Sequence, residues 1–392
     1  MVDYSKSKIN YDVIEKLPTR LKHNNAISKY YTYLADELYA DGYDGDKFVN
    51  KADNMSSCCS LWDIDFYREQ RVKTVERLNL CRDKFCVNCQ NALANKRYGL
   101  FAPVFKALSK NSKIYHVVFT VENPTGTMLR PTIDRMYKSF SYLIRYLDGR
   151  TNLDGITFKY MGYSACVRAL EVTYNEKENT YHPHFHCLFS LSKKLTLNKV
   201  IENAFSHSYK SDDISLFSEE EELFQKIWFL LNTGQTVNLQ NIDNVKLGYS
   251  VKMNEAQESD FKEVFKYALK SDLGKEECMS YDCFKVYQKA LKSLRLIQGY
   301  GKAYNLHFDE VQLTLDDYDA SLENQKRSLR KKEKPQRCYE DVKTVVKNVK
   351  AGDVYLMNKS GRAFLMTEES KEVVEALNKK KLKKEVNYEK SI

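Results

Sequence analysis

No stretch of eighteen consecutive apolar residues occurs in the chain, which excludes a membrane-crossing helix of ordinary length. The opening MVDYSKSKINYD lacks the apolar stretch of a secretory leader, so the expected location is cytoplasmic. Internal repeats are absent, and so is any glycine-rich phosphate loop; neither a repeat architecture nor a nucleotide-binding P-loop is expected. Disulfides are not expected either. Ten cysteines are present, but in a 392-residue chain without an export signal they read as free thiols or metal ligands. The length suffices for two or three parts, 43% apolar residues supply a core, and 62 Lys and Arg stand against 53 Asp and Glu. The resulting charge of +9 suits a polyanionic partner without specifying one.

Three of the seven histidines fall within one stretch, Tyr181-His182-Pro183-His184-Phe185-His186-Cys187-Leu188-Phe189-Ser190, which reads as a buried strand. Side chains alternate along a strand, so His184 and His186 share one face while Phe185 and Cys187 share the other. Two imidazoles on a rigid strand can hold a divalent cation if a neighbouring strand brings a third ligand; the plainer alternative is a pair of histidines hydrogen-bonded to core carbonyls. The preceding strand, Ala165 to Tyr174, is joined to this one by a polar connection and predicts a hairpin. Glu171 lies in its apolar middle, where a carboxylate needs a partner. Pairing Tyr174 with Tyr181 would set Glu171 opposite His184 and complete a two-His, one-carboxylate set. A slip of one residue would send Glu171 to the other face.

Cys81, Cys86 and Cys89 include a C-x2-C knuckle, which puts two thiolates on one turn as tetrahedral zinc requires. Cys58 or Cys59 would be the fourth ligand, and buried free thiols are the alternative. Basic residues around the cysteines (Arg77, Arg82, Lys84, Lys96, Arg97) offer a surface for phosphates. Residues 1 to about 50 carry helical spacing and no chemistry. Lys113 to Glu122 reads as a core strand ending at the Asn123-Pro124-Thr125-Gly126 turn, with His116 as an ordinary strand histidine. A helix follows through Tyr137, Phe140, Leu143, Ile144 and Leu147, and another is marked by Leu223, Ile227 and Trp228 behind an acidic run. Asp260 to Asp272 has apolar residues at helical spacing, which puts Glu263, Lys266, Tyr267 and Lys270 together on its polar side; surface ion pairs would explain that as well. Cys278 and Cys283 read as packing. Leu294 to Gly301 ends in a glycine turn, Lys326 to Lys334 as an exposed linker, and Asp353 to Met366 as a hairpin before a Lys-rich end.

Together these segments resemble the HUH endonucleases, and within them the rolling-circle replication initiators of plasmids from Gram-positive bacteria. Phe119-Thr120-Val121-Glu122-Asn123 is similar to the first motif strand of that family. His184-Phe185-His186-Cys187-Leu188-Phe189 matches the second, with His-Pro before it, and Glu263-Val264-Phe265-Lys266-Tyr267, followed by Lys270, is similar to the third. The resemblance spans about residues 55 to 310 and includes a cysteine-rich segment upstream of the first motif, in which Cys58 aligns better than Cys59. Val87 replaces a common proline there, and His182 stands where the family is often polar but not histidine.

The resemblance implies an α+β fold, an HUH-endonuclease core with a central antiparallel β-sheet covered by helices, plus a zinc-binding module and a small C-terminal region. Its parts would be an N-terminal helical region at 1–54, the Cys-rich zinc module at 55–97, the nicking domain at 98–318 and a basic linker and extension at 319–392. Tyr267 would be the nucleophile, leaving a 5′-phosphotyrosyl link and a free 3′-hydroxyl primer. Glu263 would activate water for a second cleavage, and Lys266 or Lys270 would favour the ionised phenol. His184, His186 and Glu171 would hold Mn²⁺ or Mg²⁺, and Cys58, Cys81, Cys86 and Cys89 a structural Zn²⁺. The implied partners are DNA, as an origin hairpin and a single-stranded nick site, and a host helicase and DNA polymerase in a bacterial cytoplasm. No membrane is implied, and a homodimer is left open. The alternatives are an HUH transposase or mobilisation relaxase, and a zinc-containing DNA-binding regulator that does not cleave.

Overall fold

The computed structural model describes residues 11–58, 61–67, 72–78, 80–202, 216–246, 248–265, 279–304 and 342–348. Helices and antiparallel sheets are mixed in an α+β fold, with no closed barrel among the described residues. The chain divides into two units, one comprising Met1–Lys96, Glu276–Cys278 and Glu310–Ile392, the other Arg97–Lys275 and Met279–Asp309.

In the first unit, α1 (Tyr11–Ala40) packs along α2 (Asp46–Ser56). Ile27, Tyr31 and Ala35 recur every four residues and are buried, as are Ala52 and Met55 from α2. The turn between the helices is tight at Gly45, where a Cβ would fall 2.7 Å from the Ala35 carbonyl oxygen. Strands β1 (Leu61–Tyr67) and β2 (Val72–Leu78) form an antiparallel pair, and the strand Val342–Asn348 adds to the free side of β1. The linker and hairpin expected at Lys326–Lys334 and Asp353–Met366 lie outside the described residues. The helix α3 (Val87–Leu108) begins in this unit, and the division between units falls within it.

The second unit is built on a five-stranded antiparallel sheet. Its strands in chain order are β3 (Ser112–Thr120), β4 (Ala165–Asn175), β5 (Thr180–Ser192), β6 (Val251–Glu255) and β7 (Ile297–Gly301), and their spatial order is β6-β3-β5-β4-β7. Strand β5 sits in the centre, so the histidine run has a partner on each side. Helices α4 (Leu129–Leu147) and α5 (Glu219–Asn232) contribute Phe140, Phe224 and Trp228 to an aromatic core with Phe119, Phe185 and Phe189. The Trp228 indole donates 2.7 Å to the Thr120 carbonyl, which fixes the end of β3. Ser218 and Glu221 form a reciprocal capping box at the start of α5, where the acidic run suits the helix dipole.

The opposite face carries a second apolar cluster: Ile114, Val167, Ala169 and Leu188 under Phe101 and Phe105 of α3 and Val264 and Phe265 of α7 (Glu258–Phe265). A short α6 (Leu239–Asn244) precedes β6, and α8 (Tyr281–Ala290) precedes β7. Strand β6 was not anticipated. Its pattern is short, with only Val251 and Met253 buried, too little alternation to stand out from sequence. Leu294 to Gly301 departs from the turn expected for it, because Ile297–Gly301 pairs with β4 and the turn comes after, at Lys302–Tyr304. Gly299 is needed there, since a Cβ would lie 2.0 Å from the Ala303 carbonyl oxygen.

Candidate metal centres

The β4–β5 register pairs Tyr174 with Tyr181 and Glu171 with His184, the register on which the position of the carboxylate depended. Alternation then places Glu171, His184 and His186 on one face, at the point where the apolar cluster beneath α3 and α7 gives way to polar side chains. His184 Nε2 lies 3.7 Å from Glu171 Oε1, and His186 Nε2 lies 3.3 Å from Glu171 Oε2. Both groups are nearly enclosed, with Glu171 4% and His184 8% exposed.

The protonation pattern suits a cation. His184 Nδ1 donates 3.1 Å to the His182 carbonyl, which leaves Nε2 as the lone-pair nitrogen. Burial lowers the His184 pKa to about 4, against the opposing pull of Glu171, so the imidazole is neutral at physiological pH and available as a ligand. The His186 Nε2 atom is buried without a hydrogen bond and faces the carboxylate. One ligand atom from each of Glu171, His184 and His186 lies within 4.8 Å of the others. Two imidazoles and a carboxylate so placed fit a divalent first-row cation.

The neighbouring strands bring further residues to the cluster. Strand β3 pairs Thr120 with His184 and Val118 with His186, so the two motif strands lie side by side. At the end of the first motif, Asn123 Oδ1 is 2.9 Å from His182 Nδ1. His116, read from sequence as an ordinary strand histidine, places Nε2 3.0 Å from His186 Nδ1, with the rings stacked. Burial and then the neighbouring His186 lower its pKa. Its other nitrogen approaches Asp260 at 3.4 Å. Glu263, one turn further along α7, is half-buried and acts electrostatically on His116. Lys266, Tyr267 and Lys270 lie outside the described residues.

In the first unit, Cys58, Cys81, Cys86 and Cys89 come together. Their Sγ atoms are 3.6 Å (Cys58 to Cys89), 3.7 Å (Cys81 to Cys89) and 3.4 Å (Cys86 to Cys58) apart. A tetrahedron with Zn–S bonds of about 2.3 Å has S–S edges of about 3.8 Å, so four thiolates in this arrangement fit zinc. Backbone N–H groups of Cys81, Arg82 and Cys89 point at the sulfurs, and Asn24 Nδ2 donates to Cys86 Sγ at 3.2 Å. Burial pushes the Cys86 thiol up, but its hydrogen bonding with Cys58, Cys81 and Cys89 outweighs that and holds its pKa well below the ordinary value. Asn24 was missed because one polar residue in a long polar helix carries no signal until the fold sets it beside the cysteines. Cys59 lies outside the described residues, and Cys283 is buried packing.

A sequence profile for a family described as replication protein matches residues 72–205. Over that stretch the chain is similar to replication proteins. The matched stretch contains Cys81, Cys86, Cys89, Glu171, His184 and His186, and ends before α7. The chain is 27% identical to a Protein rep of Bacillus sp over 194 residues, 45% of this chain and 54% of that one. It is 32% identical to a Protein rep of Streptococcus pneumoniae over 28% of this chain and 32% of that one. Similarity to a Protein rep of Lentilactobacillus hilgardii is lower, 25%, but extends over 70% of this chain and 79% of that one. The chain spans about half the length of the two Bacillus replication proteins it matches. No solved structure matches. No described helix of the chain is long and apolar enough to cross a membrane.

Proposed function

We propose that the protein initiates rolling-circle replication of a plasmid by nicking one DNA strand at the origin, with Tyr267 as nucleophile. The reading is carried by one observation: a buried two-imidazole, one-carboxylate cluster on paired strands, in a chain whose relatives are replication proteins. His184, His186 and Glu171 would hold a divalent cation, which would supply Lewis-acid polarisation of a scissile phosphate. The Tyr267 phenolate attacks phosphorus and forms the Oη–P bond as the bond to the 3′ oxygen breaks. The 3′ oxygen leaves as a hydroxyl after taking up a proton, and serves as primer. Lys266 or Lys270 favours the ionised phenol, whose ordinary pKa is about 10.

Glu263 sits where α7 brings it near His116, and its part is to take a proton from the water of a second, terminating cleavage. His182, held by Asn123, sets its ring 4.8 Å from that of His184. The four cysteines hold zinc and stabilise the first unit. Single-stranded DNA at an extruded origin hairpin is the substrate, with host helicase and polymerase acting after the nick.

The experiment is incubation of purified protein and Mn²⁺ with labelled single strands carrying the plasmid origin. Cleavage at one position, lost in His184→Ala and His186→Ala, supports the reading. Binding without cleavage at any divalent-metal concentration assigns the protein to the non-cleaving regulators, and cleavage at the ends of a mobile element assigns it to the transposases.

A further inference from the structure

The histidine that the sequence marks as ordinary, His116, lies in a chain of polar contacts that runs from the metal cluster to helix α7. Beginning at the helix, the Gln257 N–H donates 2.8 Å to Asp260 Oδ2, which fixes the carboxylate at the first turn. Asp260 Oδ1 faces His116 Nδ1 at 3.4 Å, a long contact but one a carboxylate can only accept. His116 Nε2 then faces His186 Nδ1 at 3.0 Å. His186 Nε2, at the far end, is the buried nitrogen without a hydrogen bond that faces Glu171.

Donor and acceptor roles follow from the end of the chain. Because Asp260 offers only an acceptor, the His116 proton belongs on Nδ1, and His116 Nε2 becomes an acceptor. His186 must then carry its proton on Nδ1, which leaves the Nε2 lone pair directed at the carboxylate side. An orienting partner on the second nitrogen is what a metal-binding imidazole needs. His184 obtains the same result locally from the His182 carbonyl.

We propose that His116 and Asp260 are positioning residues that fix the tautomer and ring of His186 for metal binding. They also link α7, the helix that carries Glu263, to the metal cluster. The inference rests on the metal-site reading above and deepens it, since the relay makes α7 and the bound cation mutually dependent.

Two measurements test it. Metal-free protein with ¹⁵N-labelled histidine, its seven imidazoles assigned by single substitutions, gives the tautomers by long-range ¹H–¹⁵N NMR. The expected result is an Nδ1–H tautomer at both His116 and His186; an Nε2–H tautomer at His186 overturns the proposal whatever metal does. Mn²⁺ affinity is then measured by electron paramagnetic resonance. His116→Phe and Asp260→Ala should each weaken binding by about 10–100-fold, the range found when a ligand histidine loses its orienting partner. Asp260→Asn keeps an acceptor oxygen and should lose less, and the double variant should lose no more than the larger single effect. Wild-type affinity in both single variants refutes the relay. A wild-type protein that binds no Mn²⁺, or binds it equally after His184→Ala, refutes the metal site instead, and the tautomers still decide the relay.

Discussion

Replacing Glu171 by Gln should make the metal-free protein more stable and deprive it of its metal. The carboxylate is 4% exposed, and the His184 imidazole beside it, with a pKa near 4, is neutral at pH 7.5. A buried charge in that setting is costly, and the amide keeps the shape while removing it; a gain of about 1–3 kcal/mol is expected without metal. Metal acts in the opposite direction. A cation at 100 times its Kd stabilises the folded state by about 2.7 kcal/mol. For a unit the size of Arg97–Lys275 with Met279–Asp309, about 1 kcal/mol moves the midpoint by roughly 2–4 °C, so Mn²⁺ should raise the wild-type Tm by about 5–11 °C. Calorimetry of both proteins, with chelator and with Mn²⁺, gives the four values needed. Glu171→Gln should melt higher than wild type in chelator and show no Mn²⁺ shift. A variant that melts lower in chelator and keeps the full shift would refute the placement of the charge and the metal together.

Other consequences are simpler to state. The His184 pKa is lowered on folding from 6.5 to about 4, so below pH 6.5 the unfolded chain binds a proton the folded chain refuses. Metal-free stability should therefore fall by about 3 kcal/mol between pH 6.5 and 4, and denaturant titrations should show a shallower fall in His184→Gln; identical slopes would contradict the burial argument. Wild-type protein should contain one zinc per chain by elemental analysis and Cys86→Ala none, while Asn24→Ala should retain zinc but release it to a chelator at about 10–100-fold lower concentration. Trp228→Phe removes the hydrogen bond to Thr120 and part of a fully buried ring, and should lower stability by about 2–3 kcal/mol in urea; a loss below about 0.5 kcal/mol would mean that the ring does not hold the end of β3.

Strands with strong alternation or dense β-branched content were legible from sequence, and so was the hairpin that sets Glu171 against His184. Legibility there has a physical basis: side chains two residues apart share a face, so one expected pair, Tyr174 with Tyr181, fixes every other pair. The clustering of Cys86 and Cys89 was legible because a C-x2-C spacing puts two thiols on one turn, a local constraint. Asp260, Asn24 and the role of His116 were not. Each acts through a partner distant in sequence, His116 on β3 with His186 on β5, Asn24 on α1 with Cys86, and no local pattern records such a pairing. Strand β7 was hidden by its glycines, which signal a turn by composition yet serve here to let the backbone approach Ala303 at Gly299 and Ser164 at Gly301.

The most direct test of the account is the identity of the residue that becomes linked to DNA. The protein is incubated with Mn²⁺ and a labelled origin strand, digested with protease and nuclease, and the nucleotide-bearing peptide is sequenced by mass spectrometry. The account predicts a 5′-phosphotyrosyl adduct on Tyr267, absent in Tyr267→Phe and in His186→Ala. An adduct on another residue, or one that persists in Tyr267→Phe, would contradict it.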